Sequence, residues 1–172
     1  MTRRTAAVPV LLIAGAMSLA GCRSGTQASP AAVHRSSAAD FVDATGYRAA
    51  LQRSFAAYRW PADFRPDLDV LADKSGPPAG ARMTAGGERT VLEIVNRCAW
   101  YLSWDAARTR GGKAAAAAAL RVMTDVLPTY GASDPDGQQL ARDTARRATL
   151  GDPALARQYV RANCDTTKFV SS

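Results

Sequence analysis

Histidine is almost missing from this 172-residue chain: His34 is the only one, and glutamate occurs only at Glu88 and Glu93. A single histidine, set among Ser, Ala, Gly and Thr, leaves no Ser-His-Asp arrangement and argues against a metal centre, whose imidazole and thiolate ligands come in groups. The 13 aspartates mostly sit at helix starts or in loops, so no pair of carboxylates is evidently aimed at one bond, as glycoside hydrolysis requires. The net charge is +7, yet no aromatic-basic stacking motif or zinc-finger spacing accompanies it, and no nucleic-acid partner is expected. The one extended apolar stretch, residues 6–20, falls short of the roughly 20 residues a membrane span needs. No cofactor is expected from any motif. Convincing strand alternation is missing as well, which turns attention to helices.

The chain begins with Arg3 and Arg4, then the uncharged stretch, then Leu19-Ala20-Gly21-Cys22. A basic start, a short apolar run and small residues before a cut are the parts of an export leader. An ordinary secretory signal or an uncleaved anchor has the same outline, but neither accounts for a cysteine directly after Ala-Gly. The tetrapeptide resembles a bacterial lipobox. That resemblance implies a signal peptide over residues 1–21 and a diacylglycerol thioether on Cys22, often joined by an amide-linked acyl chain. Two or more chains, at about 0.8 kcal/mol per buried methylene, make a stable anchor. The expected location is the extracytoplasmic face of the cell membrane. Thr5-Ala6-Ala7 after the arginine pair leaves both the general and the twin-arginine export routes open.

Residues 22–37 carry the lipidation site and read as a flexible tether. Residues 38–172 then form a single domain. With Cys22 lipidated, Cys98 and Cys164 are left as an even pair in an oxidising compartment, and a disulfide between them is expected. Of the 22 basic residues 19 are Arg, and Ala is abundant, the mark of a GC-rich coding bias. The surplus charge, +5 without Arg3 and Arg4, favours loose attraction to anionic headgroups or wall polymers.

The apolar period predicts an all-α bundle of four to five helices. The first spans residues 39–58, with Tyr47, Leu51, Phe55 and Tyr58 on one face, and Trp60-Pro61 ends it. Residues 63–87 are a long connection in which Leu68, Val70 and Leu71 form one turn or an anchored loop; connections of that length are often functional. The helix over 88–108 has a seam of Val91, Val95, Cys98 and Leu102, flanked by Ile94, Ala99 and Ala106, and Gly111-Gly112 stops it. An Ala-rich helix follows over 113–127. Asp134-Pro135 and Asp152-Pro153 each offer an N-cap and a proline at the first helical position, opening helices over 136–149 and 154–163.

The helix over 88–108 also carries the candidate binding surface. Trp100 and Trp104 project opposite the seam at i, i+4, beside Glu93 and Arg97, with Arg97 and Arg108 in reach for cation–π contacts. Exposed, this group would grip a sugar ring, a peptide or a partner helix. The competing reading buries the helix on both sides, against the Ala-rich helix, and tryptophan's usual burial favours it. Asp67, Asp69 and Asp73 form an acidic cluster better suited to capping than to a cation. Asp134-Pro135-Asp136-Gly137 with Asp143 departs from a calcium loop at Ala132 and at the terminal position. Arg142, Arg146, Arg147, Arg157 and Arg161 make either a solvated face or a dock for anionic lipid or polymer.

The leader, the Ala/Arg bias and Cys98-Ala99-Trp100-Tyr101 resemble small lipoproteins of actinobacteria, a likeness that implies no activity. The leading expectation is a membrane-anchored, non-catalytic domain that binds an envelope protein, peptide or glycan. The alternative is a cell-envelope enzyme using Asp67, Asp69 or Glu93.

Overall fold

The computed structural model describes residues 41–164. The expected leader, Cys22 and the tether with His34 lie outside the described residues. The described chain is an all-α bundle of six helices: α1 (Ala44–Phe55), α2 (Leu68–Ser75), α3 (Gly87–Thr109), α4 (Lys113–Asp125), α5 (Pro135–Thr149) and α6 (Ala154–Asn163). A 3-10 turn at Leu127–Thr129 follows α4. Strands β1 (Phe41–Val42) and β2 (Met83–Thr84) make one short antiparallel ladder, with Phe41 opposite Thr84.

α3 is the spine. Its 23 residues give it a length of about 34 Å, and α1, α4 and α6 pack around it. Two apolar clusters form along it. One joins Leu92 and Val95 to Tyr47, Leu51 and Phe55 of α1 and to Leu71 and Ala72 of α2. The other joins Cys98, Tyr101 and Trp104 to Ala119, Val122 and Met123 of α4, Ala145 and Ala148 of α5 and Tyr159 of α6. The expected face of α1 is therefore the buried one, with Tyr58 half-buried just beyond the helix.

Val95 and Cys98 of the expected seam are buried, but the rest of the buried face of α3 departs from it. Val91 and Leu102 are only half-buried and Ile94 is exposed, whereas Leu92, Asn96, Ala99, Ser103 and Ala107 are inside. Asn96, Ser103 and Ala107 are small or polar and carry little weight in an apolar pattern, so the pattern points about a quarter-turn away from the true core.

The helix starts follow local chemistry. Asp43 caps α1 by accepting from the Gly46 amide at 2.8 Å, which starts the helix later than periodicity alone suggests. α2 is a full helix where one turn or a loop was expected. Asp67 caps it, accepting from the Asp69 and Val70 amides at 2.9 and 3.1 Å, and Arg48 of α1 pairs with Asp69 and Asp73 at 2.6 and 2.5 Å. Eight residues are too few for an isolated helix, so packing on α1 is what sustains it. Asp134 caps α5 through the Gly137 amide at 2.9 Å, with Pro135 at the first position as expected. At α6 the cap is Pro153, one residue later than expected, and Asp152 accepts from the Ala154 amide at 2.9 Å.

α3 and α5 stop in the same way. Gly111 (φ +73°) and Gly151 (φ +80°) take the left-handed conformation, and each helix closes with paired backward bonds. In α5 these run from the Gly151 amide to the Ala148 carbonyl and from the Asp152 amide to the Arg147 carbonyl.

The expected Cys98–Cys164 disulfide is present and joins the middle of α3 to the end of α6. Arg157 of α6 donates its Nε and one Nη to Asp105 of α3, at 2.8 and 3.1 Å, and Arg108 adds a third bond at 2.8 Å. Burial pushes the Asp105 carboxyl up, but Arg157 and Arg108 outweigh it and hold the group below the usual carboxylate range. Its contribution to stability is therefore present above the unfolded carboxyl's pKa of about 4 and is lost as pH falls through the depressed folded value. An Asp105→Asn chain should show a smaller drop in urea midpoint between neutral pH and about pH 2 than the parent.

Candidate functional site

The candidate surface on α3 is not one open face; the structure has the burial that tryptophan's usual environment favoured. Trp104 is 2% exposed and Trp100 8%, so no exposed indole pair is formed. The physical reason is that α1, α4 and α6 pack around α3 and cover the faces that carry the two indoles. Arg108 lies over the Trp104 ring at 5.5 Å, the cation–π contact expected from spacing. Arg97 is buried and sits over Tyr159 instead, at 5.5 Å, with one guanidinium N–H reaching the Leu127 carbonyl at 3.4 Å.

Glu93, Asn96 and Trp100 form a polar stripe that pins two loops. The Asn96 amide and the Trp100 indole N–H both donate to the Arg59 carbonyl, at 2.7 and 2.9 Å. The Tyr130 hydroxyl donates to Asn96 at 2.8 Å, and the Gly131 amide donates to Glu93 at 2.9 Å. Tyr58 stacks edge-on against Tyr130 at 5.6 Å and so closes the two loops over α3. Asn96 was not singled out in the sequence. Its signal was there: an amide on the same helical stripe as Glu93 and Trp100, in the middle of a long helix.

Two clefts among the described residues adjoin the Tyr58–Arg59 segment. Trp100 lines the first, of about 240 Å³, with Arg59, Arg121, Asp125, Val122 and Val126. Arg59 and Arg121 are exposed and have no ion-pair partner among the described residues. Glu93 lines the second, of about 410 Å³, with Ser54, Ala57, Tyr58 and Arg89. Each cleft thus holds one carboxylate, Asp125 in the first and Glu93 in the second. The other glutamate, Glu88, is buried in the first turn of α3, 3.9 Å from the Arg89 guanidinium.

Asp67, Asp69 and Asp73 are occupied by capping α2 and pairing with Arg48, and line neither cleft. Asp134 caps α5, while Asp143 receives Gln139 and Arg146, so the calcium-like segment is spent on helix chemistry. Among the described residues no group of three or more His, Cys, Asp or Glu side chains is placed to hold a metal ion. No described helix is long and apolar enough to cross a membrane. Comparison with protein-family models, with curated proteins and with solved structures finds no match to this chain.

All five tyrosines are held neutral beyond the ordinary phenol value of about 10. Burial is the first cause at each. Tyr101 is pushed up to about 12 against the opposing pull of the Arg97 charge. In the unfolded chain these protons leave near pH 10, so stability is unaffected below that pH and falls as pH rises above it. Tyrosinate absorbance should lag behind that of free tyrosine and then rise together with loss of helical circular dichroism. A normal titration near pH 10 in a folded chain would show that the phenols are open to water.

Proposed function

We propose that this chain is a lipid-anchored, non-catalytic binding domain on the extracytoplasmic face of the cell membrane. The observation that carries the anchor is Leu19-Ala20-Gly21-Cys22 at the end of the apolar stretch over residues 6–20. A disulfide-bonded domain supports the same address, because such bonds persist in oxidising compartments. The contact point for an envelope protein, peptide or glycan is the Arg59–Trp100–Arg121 cleft, where an indole shares one space with two guanidinium groups that have no ion-pair partner among the described residues. Trp100 reaches that role from within the core; Trp104, Arg97 and Arg108 support the helix behind it.

A photo-crosslinking residue at position 121 tests this reading in intact membranes. Crosslinks from 121 that vanish with Arg59→Ala, with an exposed position such as Ala114 giving none, are the expected result. Equal crosslinking from both positions would remove the cleft from the account.

A second reading draws on the Glu93 cleft, where a carboxylate, a phenol, a hydroxyl and a guanidinium line one space. It makes the chain an envelope enzyme with Glu93 as its acid or base. Turnover of a wall or lipid substrate that is lost in Glu93→Gln, with the urea midpoint unchanged, would select it over the first.

A further inference from the structure

Among the described residues, the α5–α6 corner is where a large apolar side chain is most openly in water. Leu150 is 85% exposed, at the cap of α5 where the chain turns through Gly151. A cleft of about 440 Å³ beside it is lined by Leu150, Leu155, Arg146, Arg147 and Asp143. Arg146 also lines a neighbouring cleft of about 300 Å³ between α4 and α5, with Arg142, Gln139, Thr124, Thr149 and Ala145. No carboxylate lines that second cleft. Arg142 donates its Nε to Gln139 at 3.0 Å and has no acidic partner among the described residues. Arg146 pairs with Asp143, and Arg147 with Asp152 at 3.0 Å, but all three guanidinium groups stay exposed.

We infer that this corner docks on an anionic phospholipid bilayer, with Arg142 and Arg146 on a headgroup phosphodiester and Leu150 in the acyl boundary. The two halves of the corner ask for different surroundings. Guanidinium groups match phosphate in a planar, bidentate way. A leucine in water gains only from an apolar phase. A dissolved phosphate or a wall polymer satisfies the first and not the second; a bilayer surface satisfies both, as amphipathic interfacial elements do. The inference rests on the membrane location proposed above and adds to it a second contact, which would orient the anchored domain.

The test uses the full chain with Leu150→Cys, labelled there with an environment-sensitive dye and corrected by a parent chain labelled in the same way. Vesicles are phosphatidylcholine alone, or equal parts phosphatidylcholine and phosphatidylglycerol. Pelleting with phosphatidylcholine vesicles reports the anchor, whatever the corner does. The dye reports the corner: its emission should move to shorter wavelength on the anionic vesicles and not on the neutral ones. Arg142→Gln with Arg146→Gln should return it to the neutral-vesicle value. So should about 1 M salt, which shortens the screening length to about 3 Å. An identical emission on the two vesicle types, or the full shift with glycerophosphate alone, would overturn the inference. Both arginines are on the surface, and a matching thermal melt verifies that the double variant is folded.

Discussion

Trp104→Ala should lower the stability of the folded chain by about 3–5 kcal/mol, the range for removing a large aromatic from a core. Trp104 is almost fully buried and packs in the cluster that α3 shares with α4, α5 and α6. The space it leaves is bounded by helices on several sides, so collapse into it is incomplete and the cavity adds to the lost transfer energy. Arg108 would also lose the ring it lies over. An indole on an open face would behave otherwise, since surface substitutions usually change stability by no more than about 0.5 kcal/mol. Urea midpoints of the two chains, at an unchanged slope, make the comparison.

Removing the Cys98–Cys164 bridge, by Cys98→Ala with Cys164→Ala, should cost roughly 4 kcal/mol on the chain-entropy account of its 66-residue separation. The bridge closes most of the second apolar cluster into one loop, with α4, α5 and α6 between its ends. Without it, α6 is held by Tyr159 and Ala156 in the core and by Arg157 on Asp105. Those contacts keep the helix in place but do not restrict the unfolded chain. The effect should therefore appear in the denaturant midpoint of the double variant, with amide exchange in α6 rising first on reduction. A midpoint shift under about 1 kcal/mol would mean that the unfolded chain is already compact around these residues.

Much of the fold was legible in the sequence. The face of α1, the Asp-Pro start of α5, the Gly111-Gly112 stop after α3 and the cysteine pairing all follow from the sequence. α2 was not legible as a helix, because its eight residues are stabilised by Asp67 and by two ion pairs to Arg48 that lie far away in sequence. The rotation of α3 differs from its apolar pattern for a related reason. Asn96, Ser103 and Ala107 are buried while being polar or small, and an apolar count gives them little weight. The candidate surface divided accordingly. Glu93 and Trp100 share a stripe, as the spacing implied, but that stripe holds two loops and sends each residue to a different cleft. Only the tertiary contacts of Arg59 and Tyr130 decide this, and these are 30 to 40 residues away in the chain.

The anchor at Cys22 is the claim on which the proposed function depends most, and the mass of the mature N-terminal peptide tests it directly. The chain, expressed with its own leader in a bacterial host and extracted from membranes in detergent, should yield a peptide that begins at Cys22 and carries a diacylglyceryl group. Cys22→Ala should abolish that modification and release the domain from the membrane. An unmodified Cys22, or a mature chain that still contains residues 1–21, would contradict the account.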